Sequence, residues 1–127
     1  EYIAGLAEYL VNRQSSPGKT LVLDVGAGDG LLARLLKEHF QPKRTAPDIL
    51  AVDDGSWGIS PKTNDVEKLK FTDAIEKYAA DYEQIIVLCS WMPMGDDWTA
   101  SFRKAGVKEY ILIGESDDGN CGCNWET

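Results

Sequence analysis

Histidine is nearly absent from this chain: His39 is the only one in 127 residues. Cysteine is scarce, at Cys89, Cys121 and Cys123. An odd number argues against a disulfide framework and for a reducing compartment, so a cytoplasmic location is expected. Cys121 and Cys123 could form half of a metal site. Only His39 and Cys89 remain as further soft ligands, whereas structural zinc takes four, so no metal is expected. Basic residues are few, 13 Lys and Arg against 21 Asp and Glu, for a net charge of -8. Lys43-Arg44 and Arg103-Lys104 are basic pairs, and no longer basic stripe exists. Such an acidic protein repels phosphate backbones, which makes nucleic acid an unlikely partner. No apolar run reaches the roughly 18 to 20 residues of a membrane span. No basic start followed by an apolar stretch marks a signal peptide. The chain opens on Glu rather than Met, so the natural N-terminus is expected upstream. Repeats and low-complexity segments are absent.

Hydrophobic residues make up 43% of the chain, enough to bury a core, and the length fits a single domain over 1–127. Ile3, Leu6, Leu10 and Val11 share one face of an expected helix over 3–12. Ser-Ser-Pro-Gly within 12–19 reads as a turn. A strand is expected at 20–25 and a helix at 29–39, with Leu31, Leu32, Leu35 and Leu36 at helical spacing. Ile49 to Asp53 reads as a second strand. Residues 54–65 are irregular, and 66–71 alternate as a third strand. A helix at 73–82, capped by Thr72 or Asp73, precedes a fourth strand at 84–89. A helix at 96–105 ends at Gly106, and a fifth strand covers 109–114. The last thirteen residues show no period. Continuous apolar strands alternating with helices predict an α/β fold: a doubly wound, mostly parallel sheet of about five strands with helices on both faces.

The first strand runs into Gly26, Gly28 and Gly30. In a doubly wound sheet, ligands bind beyond the C-terminal strand ends, and glycine there lets a ligand approach the backbone. The following helix turns its partly positive N-terminus to the same place. The spacing G-x-G-x-G, with Leu31 next, is not the G-x-G-x-x-G of a dinucleotide site. No Gly-Lys-Ser/Thr follows, as a P-loop needs. Asp24, two residues before Gly26, suits an ammonium group and not a diphosphate.

LVLDVGAGDGLLARLL, residues 21–36, resembles the first motif of class I S-adenosylmethionine-dependent methyltransferases, and the likeness extends over roughly residues 1–114. The resemblance implies a Rossmann-like core and S-adenosylmethionine as cofactor. It implies a cofactor site of Asp24, Gly26, Ala27, Gly28, Gly30, Asp53, Asp54, Asp73, Ala74, Cys89 and Ser90. Asp53 would hold the ribose hydroxyls, Asp73 would meet the adenine amine, and Cys89-Ser90 would line the transfer site. Two departures stand out. The 54–65 connection lacks the family's helix, and the family's usual C-terminal antiparallel strand pair is missing. The chain is therefore either a minimal form or a piece of a longer one. Ser90-Trp91-Met92-Pro93 shares only a displaced proline with the Asn/Asp-Pro-Pro-Tyr/Phe of amino-methylating nucleic-acid enzymes.

The segments expected around the crevice, 24–30, 53–58, 89–98 and 114–127, carry no Lys or Arg. They hold Asp24, Asp29, Asp53, Asp54, Asp96, Asp97, Glu115, Asp117, Asp118 and Glu126, and all four tryptophans, Trp57, Trp91, Trp98 and Trp125. An acidic, aromatic rim attracts cations. The expected acceptor is a small molecule or protein, with an amine favoured over a phosphate-bearing group. Trp57, Trp91 and Met92 are candidate substrate contacts. Asp96, Asp97 and Glu115 are candidate proton acceptors by location. A non-catalytic methyltransferase-like module and a nicotinamide-dependent oxidoreductase are the alternatives.

Overall fold

The computed structural model describes residues 1–14, 19–61, 64–115 and 121–123. Asp117, Asp118, Trp125 and Glu126 lie outside the described residues. The elements are α1 (Tyr2–Asn12), β1 (Thr20–Val25), α2 (Leu31–Phe40), β2 (Asp48–Asp53), β3 (Val66–Lys68), α3 (Phe71–Ala79), β4 (Gln84–Ser90), α4 (Thr99–Lys104) and β5 (Glu109–Ile113). The five strands form one all-parallel sheet in the order β3-β2-β1-β4-β5. No antiparallel pair occurs among the described residues. The fold is α/β and doubly wound, with a Rossmann-like arrangement. No helix among the described residues is long and apolar enough to cross a membrane.

Strand alternation sorts the core into two layers. Leu21, Leu23 and Val25 point to the face covered by α3 and α4, where Ala74, Ile75 and Phe102 pack. Val22, Ile86 and Leu88 point to the opposite face, against Ala7 and Leu10 of α1 and Leu36 and Phe40 of α2. Every residue of β1 is buried. A strand covered on both faces has no polar side, which explains its nearly continuous apolar run. Asp24 is the exception inside that run. The C-terminal end of α1 is clipped to β5 by Arg13, whose Nε donates to Glu109 at 2.8 Å, and by Lys108, whose Nζ donates to the Arg13 carbonyl at 2.8 Å.

Several expected boundaries move, each for a local reason. The third strand stops at Lys68 rather than 71, because its partner β2 ends at Asp53. The Leu69 N–H then donates to the Asp53 carbonyl at 3.1 Å, and the chain turns into α3. Lys70 caps α3 in an extended conformation, so neither Thr72 nor Asp73 is its cap. Asp73 instead sits in the first turn, where its charge suits the helix dipole. The fourth helix starts at Thr99 rather than 96, since Gly95 (φ +83°) and an Asp96 N–H to Pro93 carbonyl bond of 3.1 Å form a turn first. The second helix starts at Leu31 rather than 29, because a Gly30 N–H to Ala27 carbonyl bond closes the glycine turn. The described part of the 54–65 connection contains turns and no helix.

Candidate functional site

After β1 the chain goes to β2 and β3 on one side, then returns to β4 and β5 on the other. That reversal opens a crevice beyond the ends of β1 and β4, the usual ligand position in such sheets. A cleft of about 1040 Å³ lies there. Four segments wall it: the glycine turn, the start of the 54–59 loop, residues 69–72 at the head of α3, and the 90–98 loop.

Asp24 forms the floor. Alternation places it on the α1–α2 face, below the first turn of α2. It is only 1% exposed, and neither carboxylate oxygen has a hydrogen-bond partner. Burial, and then the charge of Asp53, push its acid up to about 7. The Ala33 backbone N–H pulls in the opposite direction, but no oxygen of Asp24 completes a hydrogen bond. A buried, unsatisfied carboxylate is costly, so a cationic donor placed beside it would offset a real penalty.

Asp53 braces the cleft. One oxygen accepts the Gly28 N–H at 3.0 Å, and the other accepts the Gly55 N–H at 2.7 Å. A carboxylate has about four acceptor positions, so capacity for further donors remains. Asp54 accepts the Ser56 N–H at 2.9 Å, and the bonds from Ser56 hold its acid below the ordinary range.

All three glycines of the turn have positive φ. Their surroundings differ. A Cβ on Gly30 would lie 2.6 Å from Val66 Cγ2, so this glycine serves contact between the turn and β3, and it does not line the cleft. A Cβ on Gly26 would meet the Trp98 ring at 3.2 Å, and one on Gly28 would meet Ile59 at 3.7 Å. Trp98 and Ile59 are themselves cleft walls. Trp98 also stacks on Phe71, with ring centroids 4.6 Å apart, and its backbone N–H donates to Met92 Sδ at 3.4 Å.

Of the residues singled out in the sequence, Asp24, Gly26, Ala27, Gly28, Asp53, Asp54, Trp57, Ser90, Trp91, Met92 and Asp96 line this one cleft. Asp73, Ala74, Cys89, Asp97 and Glu115 do not, nor does Gly30. Asp73 is exposed on α3, and Ala74 is packed in the core. Cys89 is 1% exposed in the same core. Burial first, then Asp24 and Cys121, push its thiol up to about 12, which leaves no thiolate for chemistry at neutral pH. Glu115 is exposed, and its carbonyl accepts the Cys121 thiol at 3.2 Å. The three cysteines are free.

Asp97 accepts the Thr99 N–H at 2.9 Å and also the Thr99 hydroxyl. Those hydrogen bonds hold its acid below the ordinary range. It braces the start of α4. Asp97→Ala should lower stability by about 1 kcal/mol, the usual net value of a lost hydrogen bond. Asp96→Ala should change it by less than about 0.5 kcal/mol, as for an exposed residue. Urea unfolding of the two variants checks this.

The sequence pattern hides the wall formed by Leu69, Lys70, Phe71 and Thr72. Val66 to Phe71 alternates like a strand, and only the early end of β2 turns the segment toward the cleft. Lys70 also puts one cation on a rim whose other expected segments have none. No family model and no curated protein matches the chain.

Proposed function

We propose that this protein is an S-adenosylmethionine-dependent methyltransferase acting on a small-molecule or protein acceptor. The observation that carries this reading is Asp24: a buried carboxylate with two unpartnered oxygens, on the floor of a cleft at the sheet's switch point. An ammonium group would satisfy both oxygens, whereas a diphosphate would be repelled. The residues present thus fit the amino-acid end of the cofactor. Asp53, with acceptor capacity left over, would hold the ribose hydroxyls. Leu69 and Phe71 offer apolar walls for a purine.

When bound, S-adenosylmethionine supplies an electrophilic methyl group. The protein's own work is mostly alignment, since a nucleophile held in line with the methyl gains most of its rate from position. Where the nucleophile arrives protonated, a base must take the proton. Among the three acids considered for that role, Asp96 is the one on the cleft.

A second reading, a methyltransferase-like module without catalysis, draws on the side chains that cover the glycines, Trp98 above all. Calorimetric titration with S-adenosylhomocysteine, with NAD as control, separates the readings. The expected result is binding of the thioether and none of NAD. Asp53→Ala should weaken that binding by about 1–3 kcal/mol, the range for losing a buried polar partner. A folded chain that binds neither compound favours the module. One that prefers NAD favours a nicotinamide-dependent oxidoreductase.

A further inference from the structure

Five exposed large apolar side chains, Leu31, Trp57, Ile59, Trp91 and Met94, line the same cleft. Exposed apolar groups gathered on one rim mark a surface made to be covered. At about 1040 Å³ the cleft stands at the top of the roughly 300–1,000 Å³ range of ligand pockets.

Charge indicates what covers that rim. The lining carries five aspartates and one lysine, Lys70. Asp29, Asp53 and Asp54 have their carboxylates engaged with backbone N–H groups of Leu31, of Gly28 and Gly55, and of Ser56. Asp24 lies buried at the floor. Asp96 is exposed, and its carboxylate makes no hydrogen bond or ion pair among the described residues. It belongs to the same loop as Trp91 and Met94.

Trp91 adds a second observation. Its φ is +56°, the one left-handed non-glycine residue among those described. Its N–H is fixed to the Ile113 carbonyl at 2.7 Å, yet the residue is 58% exposed. Glycine would hold this turn with less strain. Little of the indole is repaid by burial in the fold, and strain of this kind gathers at ligand clamps.

We infer that this rim takes a second ligand, an amine on an apolar body. The body lies on Trp91, Trp57 and Met94, where an aromatic face also attracts a cation, and the nitrogen lies by Asp96. The inference rests on the methyl-transfer reading for the fate of the amine, though not for its binding. The amine arrives as an ammonium, and Asp96 accepts one N–H proton. The freed nitrogen pair forms the new N–C bond as the C–S bond opens, and the C–S electrons stay on sulfur. The products are a thioether and a methylated ammonium, and Asp96 releases its proton to solvent.

The test titrates the chain with phenethylamine and with phenylacetate, an anion of similar shape, each with and without S-adenosylhomocysteine. Phenethylamine should bind at least tenfold more tightly than phenylacetate. Trp91→Gly and Asp96→Asn should each weaken amine binding at least tenfold. Trp91→Gly should unfold at the wild-type temperature or above, which separates loss of contact from loss of fold. Equal binding of amine and anion overturns the inference, as does an unchanged amine affinity in Trp91→Gly. Amine binding without thioether binding supports it while overturning the methyl-transfer reading. Thioether binding with no amine binding does the reverse.

Discussion

Asp24→Asn should make the protein more stable at pH 8 and leave its stability nearly unchanged at pH 4. The Asp24 acid stands at about 7 in the fold against an ordinary value of 3.8, with burial the main cause. The folded state therefore binds a proton more tightly than the unfolded chain between those values. Below about pH 4 the acid is neutral in both states and exerts no charge penalty. As pH rises toward 7, the unfolded acid ionises freely while the folded one resists, so stability falls. Above about pH 7 the full penalty is present, about 4 kcal/mol at about 1.4 kcal/mol per tenfold change in proton affinity. Asparagine and the protonated acid leave similar polar atoms unpaired, so the difference between variant and wild type isolates the charge. Urea unfolding of both proteins from pH 4 to 8 measures it. Under the methyl-transfer reading, the same variant should lose most of its affinity for S-adenosylhomocysteine. The wild-type affinity should then rise with pH up to about 7, as Asp24 ionises, and level off above. A variant that is stabilised and still binds would separate Asp24 from the ligand.

Gly30→Ala should destabilise the fold by about 3 kcal/mol. Two costs add. The residue has φ +80°, where a side chain costs about 1–2 kcal/mol. The new Cβ would also stand 2.6 Å from Val66 Cγ2, and overpacking of this kind costs about 1–3 kcal/mol. Gly58→Ala is the control: its φ is +67°, but no atom lies within 4 Å of the added Cβ, so only the first cost applies. Combining Gly30→Ala with Val66→Ala should recover the steric part and leave the backbone part. Equal losses for Gly30→Ala and Gly58→Ala would remove Val66 from the account.

The fold was legible because its signals are local. The apolar runs of β1, β2 and β4 declare strands buried on both faces. Glycines placed where β1 ends declare a turn that needs positive φ. Asp24, Asp53, Trp91 and Asp96 could be assigned to one end of the sheet from strand ends alone. What depended on contact across the chain was not legible. Nothing near Gly30 in sequence announces Val66. Asp96 and Asp97 are neighbours of the same chemistry, and only the folded chain distinguishes them, putting Asp96 on the cleft and Asp97 under the donors of Thr99. Phe71 reads as the last residue of an alternating strand, yet it opens α3 and stacks on Trp98.

The strand order also dictates when the protein can fold. β1 is the central strand and is made early, but one of its flanks waits for β4: Thr20 pairs with Gln84, and Val25 with Cys89. Until that distant partner leaves the ribosome, a largely apolar strand keeps an open edge. Pairings this far apart in sequence close slowly, and open apolar edges invite the wrong neighbour. A nascent chain ending before residue 84 can complete β1–β2 and not the sheet, so the interval before β4 emerges is when a holding chaperone would matter most.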